Sequence, residues 1–162
     1  MNTLVVDHTV WTEKGAPHAI EKLFRNGWQV YVWTNHPRTK YYRLLTELQK
    51  DKAAWALVRE FYCYEGPEIA DHASRKLTLL ERHFGKLLDK REILTILEPQ
   101  EETAAILSAY SPYVCVINNY AWLNFIALSQ RKLKEFIGVR NPAVAVVPES
   151  SLSDLLRVSY MI

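Results

Sequence analysis

Two cysteines among 162 residues leave no basis for a disulfide scaffold or a four-cysteine metal site. Cys63 and Cys115 stand far apart in apolar surroundings, and no CxxC or Cys/His spacing suits zinc. A reduced, cytoplasmic setting is the simplest expectation. Glycine is scarce as well: the five glycines build neither GxGxxG nor a P-loop, so the glycine-rich phosphate cradles of dinucleotide and NTP sites are missing. A formal net charge of +2 gives no electrostatic argument for nucleic acid or an acidic partner. No apolar run approaches the roughly 20 residues a membrane-spanning helix needs. Met1 to Asp7 carries no basic stretch of the kind that opens a signal peptide. Repeats, low-complexity tracts and linkers are also missing.

What is present is the material of a folded core: 49% hydrophobic and 23% charged residues in a length that suits one domain over residues 1–162. Thr3 to Val6 reads as a buried strand ending at Asp7, and Pro17 to Arg25 as a helix stopped by Asn26-Gly27. Trp28 to Trp33 is β-branched and aromatic, hence a second strand, and Thr34-Asn35-His36-Pro37 breaks the pattern. Helices are expected at Arg38 to Lys50, Ala53 to Phe61 and Ile69 to Phe84, the last capped by Gly85. Together they form a helical excursion over about Arg38 to Phe84. Arg91 to Leu97 fits strand or helix. Gln100 to Tyr110 and Trp122 to Phe136 read as helices, Tyr113 to Ile117 and Ala143 to Val147 as strands, and Ser151 as the cap of a short final helix. Alternating strands and helices imply a mainly parallel sheet covered on both faces, with the ligand site beyond the strands' carboxyl ends. The loops to inspect therefore begin at Asp7, Thr34 and Asn118.

Those loops carry a family resemblance. Val5-Val6-Asp7-His8-Thr9-Val10 looks like the first motif of the haloacid dehalogenase-like (HAD) superfamily, an apolar strand that delivers a nucleophilic aspartate. Gly15 to Asn35 is similar to the family's next stretch, a helix, Asn-Gly, a strand and Thr-Asn. Val114 to Asn119, with Asn124 behind it, stands where the acidic fourth motif is expected. The resemblance implies a HAD-like Rossmannoid three-layer α/β sandwich with a minimal cap. It implies roles too: Asp7 as nucleophile, Thr34 holding a phosphate oxygen, and a lysine neutralising charge, with Lys90 preferred to Lys76. Asn35, Asn118 and Asn119 would line the binding site, and Asp7 with Asn119 would hold Mg²⁺ weakly.

Two departures shape the expected function. Thr9 stands where family phosphatases carry a second aspartate, and a hydroxyl cannot act as an acid near neutral pH. Asn118, Asn119 and Asn124 stand where carboxylates would bind Mg²⁺, an ion that depends on such charge. The dehalogenase branch needs no metal, but Trp122 replaces the carboxylate expected three residues after the asparagine. The implied function is thus a degenerate HAD-like protein, a pseudoenzyme with weak or no phosphatase activity that binds a partner. The alternative is an active HAD-type hydrolase, phosphoryl-transferring or dehalogenase-like, that attacks with Asp7. The partner would be a protein or a small phosphorylated molecule; nucleic acid is not indicated, nor is a membrane. A third possibility is an unrelated doubly wound domain, receiver-like or nucleotide-binding.

Each residue also has a plainer reading. Asp7 suits an Asx cap, Thr34-Asn35 a turn, and Asn118-Asn119 a helix cap. His8 and His36 suit solvated loops, though with Asp7 they would make a small metal or acid–base cluster. His18, His72 and His83 suit a helical surface. Arg38, Lys40 and Arg43, like Arg131, Lys132, Lys134 and Arg140, suit solvated faces or a contact with phosphate. Trp11, Tyr120 and Trp122 are expected in loops beside the site, as an exposed aromatic patch around Trp11 and Trp122, whereas Trp28, Trp33 and Trp55 suit the core.

Overall fold

A computed structural model describes residues 3–25, 27–117 and 146–147. The chain runs β1 (Thr3–Asp7), α1 (His8–Trp11), α2 (Ala16–Arg25), β2 (Gln29–Pro37), a 3₁₀ turn (Arg38–Lys40), α3 (Tyr41–Leu48) and α4 (Lys52–Trp55). It continues through β3 (Phe61–Tyr64), α5 (His72–Asp89), β4 (Leu94–Leu97), α6 (Glu101–Tyr110), β5 (Val114–Ile117) and β6 (Val146–Val147). The strands lie in the order β3-β2-β1-β4-β5-β6, and every pairing is parallel. From β1 the chain steps outward to β2 and β3, then α5 carries it back across to β4 on the other side of β1. The order therefore reverses between β1 and β4. At such a switch point the connections leave in opposite directions and open a crevice beyond the carboxyl ends of the two strands.

Alternation along β1 builds a core on each face of the sheet. Leu4 and Val6 point to the side covered by the first helices, where Val10, Trp11, Ile20, Leu23, Leu44 and Leu48 are buried with them. Val5 points to the opposite side and packs with Leu79, Leu80, Phe84 and Leu88 of α5 and with Ala104 and Leu107 of α6. Helices on both faces of a parallel sheet make a Rossmann-like α/β architecture, as the alternation of elements implies.

Several boundaries differ from expectation. Thr34 to Pro37 does not break β2. The strand continues beside β3, with Pro37 opposite Tyr64 and an irregularity between Trp33 and Pro37. Proline holds the preceding residue extended, so the segment stays in strand geometry. The helix expected over Ala53 to Phe61 ends at Trp55. Arg59 then donates to Val30 O (2.8 Å), and Phe61 to Tyr64 joins the sheet as an edge strand. The excursion over 38–84 is thus not wholly helical. Gly85 does not cap α5, which runs on to Asp89 and buries Leu88. The stop comes at Arg91, in the left-handed region at φ 60°. There Glu92 N donates to Leu87 O (3.2 Å) and Arg91 N to Leu88 O (2.9 Å), the paired bonds of a Schellman ending. Gly27 (φ 86°) ends α2 with the matching bonds, Trp28 N to Leu23 O and Gly27 N to Phe24 O. The ambiguous stretch before Pro99 is strand β4. The expected helix over Trp122 to Phe136 and its cationic residues, Ala143 to Ala145 and the Ser151 cap lie outside the described residues.

Candidate functional site

Three charged side chains are buried together at the switch point. Asp7 ends β1, Glu98 directly follows β4, and Lys76 comes from the second turn of α5. They are 4%, 1% and 0% exposed. Lys76 Nζ donates to Asp7 Oδ1 at 2.5 Å and to Glu98 Oε1 at 2.7 Å. The same ammonium lies 5.3 Å from the centre of the Trp33 ring. Asp71 sets the start of α5 by accepting from Ser74 N (2.7 Å). Lys76 then occupies the buried stripe that continues through Leu79 and Leu80, three and four residues on.

The other carboxylate oxygens are occupied too. Asp7 Oδ2 accepts from Thr9 N (2.9 Å) and from the Thr9 hydroxyl. Glu98 Oε2 accepts from Gln100 N (3.0 Å). Asp7 thus caps α1, as the plainer reading has it, and is ion-paired as well. Burial is the largest influence on its carboxyl and pushes the pKa up. The attraction of Lys76, its hydrogen bond and that of Thr9 together outweigh burial and hold Asp7 below its ordinary value. The trio carries a net charge of −1.

Around it, Thr34 is fully buried on β2, and its hydroxyl oxygen accepts from His36 N (3.1 Å), which leaves the hydroxyl hydrogen free to donate. Asn35 Nδ2 donates to His72 O (3.2 Å), while Asn35 Oδ1 is buried without a hydrogen-bond partner among the described residues. His8 and His36 are half-buried rather than solvated. Their rings meet edge-on at 5.2 Å, and His8 Nδ1 stands 3.9 Å from Asp7 Oδ2. Burial holds His8 below its ordinary pKa despite the pull of Asp7. His18 is exposed, but His72 hydrogen-bonds Thr103 (2.8 Å) and His83 stacks on Tyr62 (3.7 Å), so those two are not free surface residues.

Two expectations need correction. Lys90 does not approach Asp7: it is exposed beyond the last turn of α5, about 21 Å along the helix from Lys76 at 1.5 Å per residue. Trp11 is not an exposed aromatic. It is 1% exposed, its indole N–H donates to Leu48 O (3.0 Å), and its ring packs edge-on against Trp55. Sequence reasoning also missed a carboxylate that joins Asp7: Glu98, directly after β4. Asn118, Asn119, Tyr120, Trp122 and Asn124 lie outside the described residues. Glu98 had a signal in the sequence: Leu94-Thr95-Ile96-Leu97-Glu98 repeats the pattern of Leu4-Val5-Val6-Asp7, an apolar run closed by an acid.

The fit of Mg²⁺ follows from the same inventory. Asp7 and Glu98 keep lone pairs beyond the bonds they accept, but Lys76 already cancels one of the two charges. Among the described residues no group of three histidine, cysteine or acidic side chains is placed to hold a metal. Two carboxylates that share one ammonium do not by themselves make an all-protein cage for Mg²⁺. A groove of about 480 Å³ runs beside α1 and α3, lined by Trp11, Gly15, Pro17, Glu47 and Leu48 among others, and none of the charged trio lines it. Among the described residues no helix is long and apolar enough to cross a membrane. No family model, curated protein or solved structure matches this chain.

Proposed function

We propose that this is a HAD-like domain in which Asp7 accepts a phosphoryl group. The observation that carries the reading is the Asp7–Lys76–Glu98 trio buried where the strand order reverses. A buried lysine and carboxylate pair costs several kcal/mol of desolvation per ion, of the order a fold offsets only with good geometry. Phosphoryl transfer to a carboxylate asks for this assembly: an oxygen nucleophile at a strand end, a fixed cation, and a hydroxyl to grip the transferred oxygens. Asp7 attacks phosphorus as the bond to the leaving oxygen breaks, and the electron pair leaves with that oxygen. Lys76 offsets the charge gathered at the carboxylate, and Thr34 donates to a phosphate oxygen. Asp7 and Glu98 would hold Mg²⁺, which supplies charge neutralisation of the transferred group. Lys76 and Glu98 thus take the roles that the resemblance assigns to Lys90 and to the Asn118 loop.

Thr9 sets the limit. Its hydroxyl donates to Asp7 and cannot protonate a departing alkoxide, so acyl and aryl phosphates, whose leaving groups need no proton, react and alkyl phosphates turn over poorly. The test is incubation with acetyl phosphate and Mg²⁺, followed by mass spectrometry of the intact chain. The expected product is a hydroxylamine-sensitive phosphoaspartate in the wild type and none in Asp7→Asn. An unlabelled but folded wild type would overturn the reading. The second reading is a degenerate, partner-binding protein, favoured by the near-complete burial of Asp7, Thr34 and Lys76.

A further inference from the structure

Beyond Pro37 the chain turns directly into α3, and the six residues Arg38 to Arg43 carry three cations. Arg38 faces Glu65 at 3.7 Å. Lys40 and Arg43 are exposed, and neither has a carboxylate partner among the described residues. The α3 stripe that packs into the core is Leu44 and Leu48, and these two charges lie off it.

Their position connects them to Asp7. Parallel β1 and β2 run side by side with Asp7 opposite Trp33, so the last four residues of β2, Thr34 to Pro37, run on past the end of β1. His36 bridges the gap, with its ring against that of His8, which stands beside Asp7. Burial holds His36 below its ordinary pKa, and Lys40 and then Arg43 add to that effect.

We infer that Lys40 and Arg43 form a second anion-binding position at the rim of the Asp7 site, which selects substrates with a further phosphate beyond the group delivered to Asp7. The substrate class is a bisphosphate or polyphosphate. This rests on the proposed phosphoryl-acceptor role of Asp7, and it is tested separately from that role. Orthophosphate reaches one position and pyrophosphate reaches two.

Calorimetry with both anions, Mg²⁺ present throughout, should show pyrophosphate binding about tenfold more tightly, a modest factor because two exposed contacts each contribute little in water. The double variant Lys40→Gln/Arg43→Gln should lose most of that preference, while Lys90→Gln, at the far end of α5, keeps it. Asp7 labelling by acetyl phosphate should continue in the double variant. Equal affinity for the two anions in the wild type, a preference that survives in the double variant, or no binding of either anion would overturn the inference. A lost preference together with an unlabelled Asp7 in every protein would support the rim position and overturn only the acceptor reading.

Discussion

Helix α5 carries lysines near its two ends, and they live in opposite worlds. Lys76 is fully buried between two carboxylates and under a tryptophan face; Lys90 is exposed beyond the final turn. At the solvated end a cation is worth a few tenths of a kcal/mol through the helix dipole. At the buried end it must be desolvated, so it persists only with partners that match it. A buried charge is therefore informative about the site in a way that an exposed one is not. Among the described residues Lys76 is the buried lysine, and its burial calls for a functional account.

The comparison is broken most directly by removing each charge in turn. Lys76→Met keeps the length and apolar stem but leaves Asp7 and Glu98 buried without a cation. The expected loss is about 3–5 kcal/mol of unfolding free energy, against less than about 0.5 kcal/mol for Lys90→Met, read by urea denaturation. Similar losses in the two variants would mean that the trio is solvated in solution and that the contrast between the helix ends is false.

Acid sharpens the contrast. Asp7 has a folded pKa below its ordinary value of 3.8, so its stabilising contribution is complete above that value and is lost as pH falls through the folded one. His8, His36, His72 and His83 are also held low, chiefly by burial. For a histidine of that kind the unfolded chain binds protons first, so stability declines as pH drops below about 6.5. Both effects have one sign: the wild type should weaken in two stages, first through the histidine range and then below pH 4. In Lys76→Met the second stage should shrink or invert, because burial then dominates at Asp7 and protonation relieves it. An unchanged second stage would sink the assignment of that stage to the Lys76 pair.

How much of this was legible in the residues follows the same physics. The strand that ends at Asp7, the parallel α/β class and α2 with its Gly27 ending all rest on local pattern, and local pattern suffices there. Glu98 and Lys76 depend on which strands become neighbours. The order β2-β1-β4 is a long-range fact, and it decides that the acid after β4 faces Asp7. Lys76 left one trace, a charge on the stripe continued by Leu79, Leu80 and Phe84. Trp11 misled because a tryptophan four residues past a strand suggests a loop, whereas its N–H finds Leu48 O and the ring is buried at little polar cost. Phe61 to Tyr64 was masked by the helical spacing before it, although its aromatic content favours a strand.

The smallest effect lies just past Lys90. Arg91 holds φ at 60°, where an L side chain crowds its own carbonyl at a cost of roughly 1–2 kcal/mol, and the two Schellman bonds compensate by satisfying carbonyls that α5 leaves open. Gly27 makes the same ending for α2 without that cost, and among the described residues beyond its chain neighbours no atom lies within 4 Å of where its Cβ would sit. The two endings thus differ in backbone preference rather than in crowding. Arg91→Gly should stabilise by about 0.5–1 kcal/mol, less than the full relief because glycine also loosens the unfolded chain. Gly27→Ala should destabilise by a similar amount, with both read as shifts in the urea midpoint at constant slope. A loss of stability in Arg91→Gly would mean that the arginine side chain stabilises this end of α5 by more than its backbone costs, and the two ends of the helix would then differ less than Lys76 and Lys90 imply.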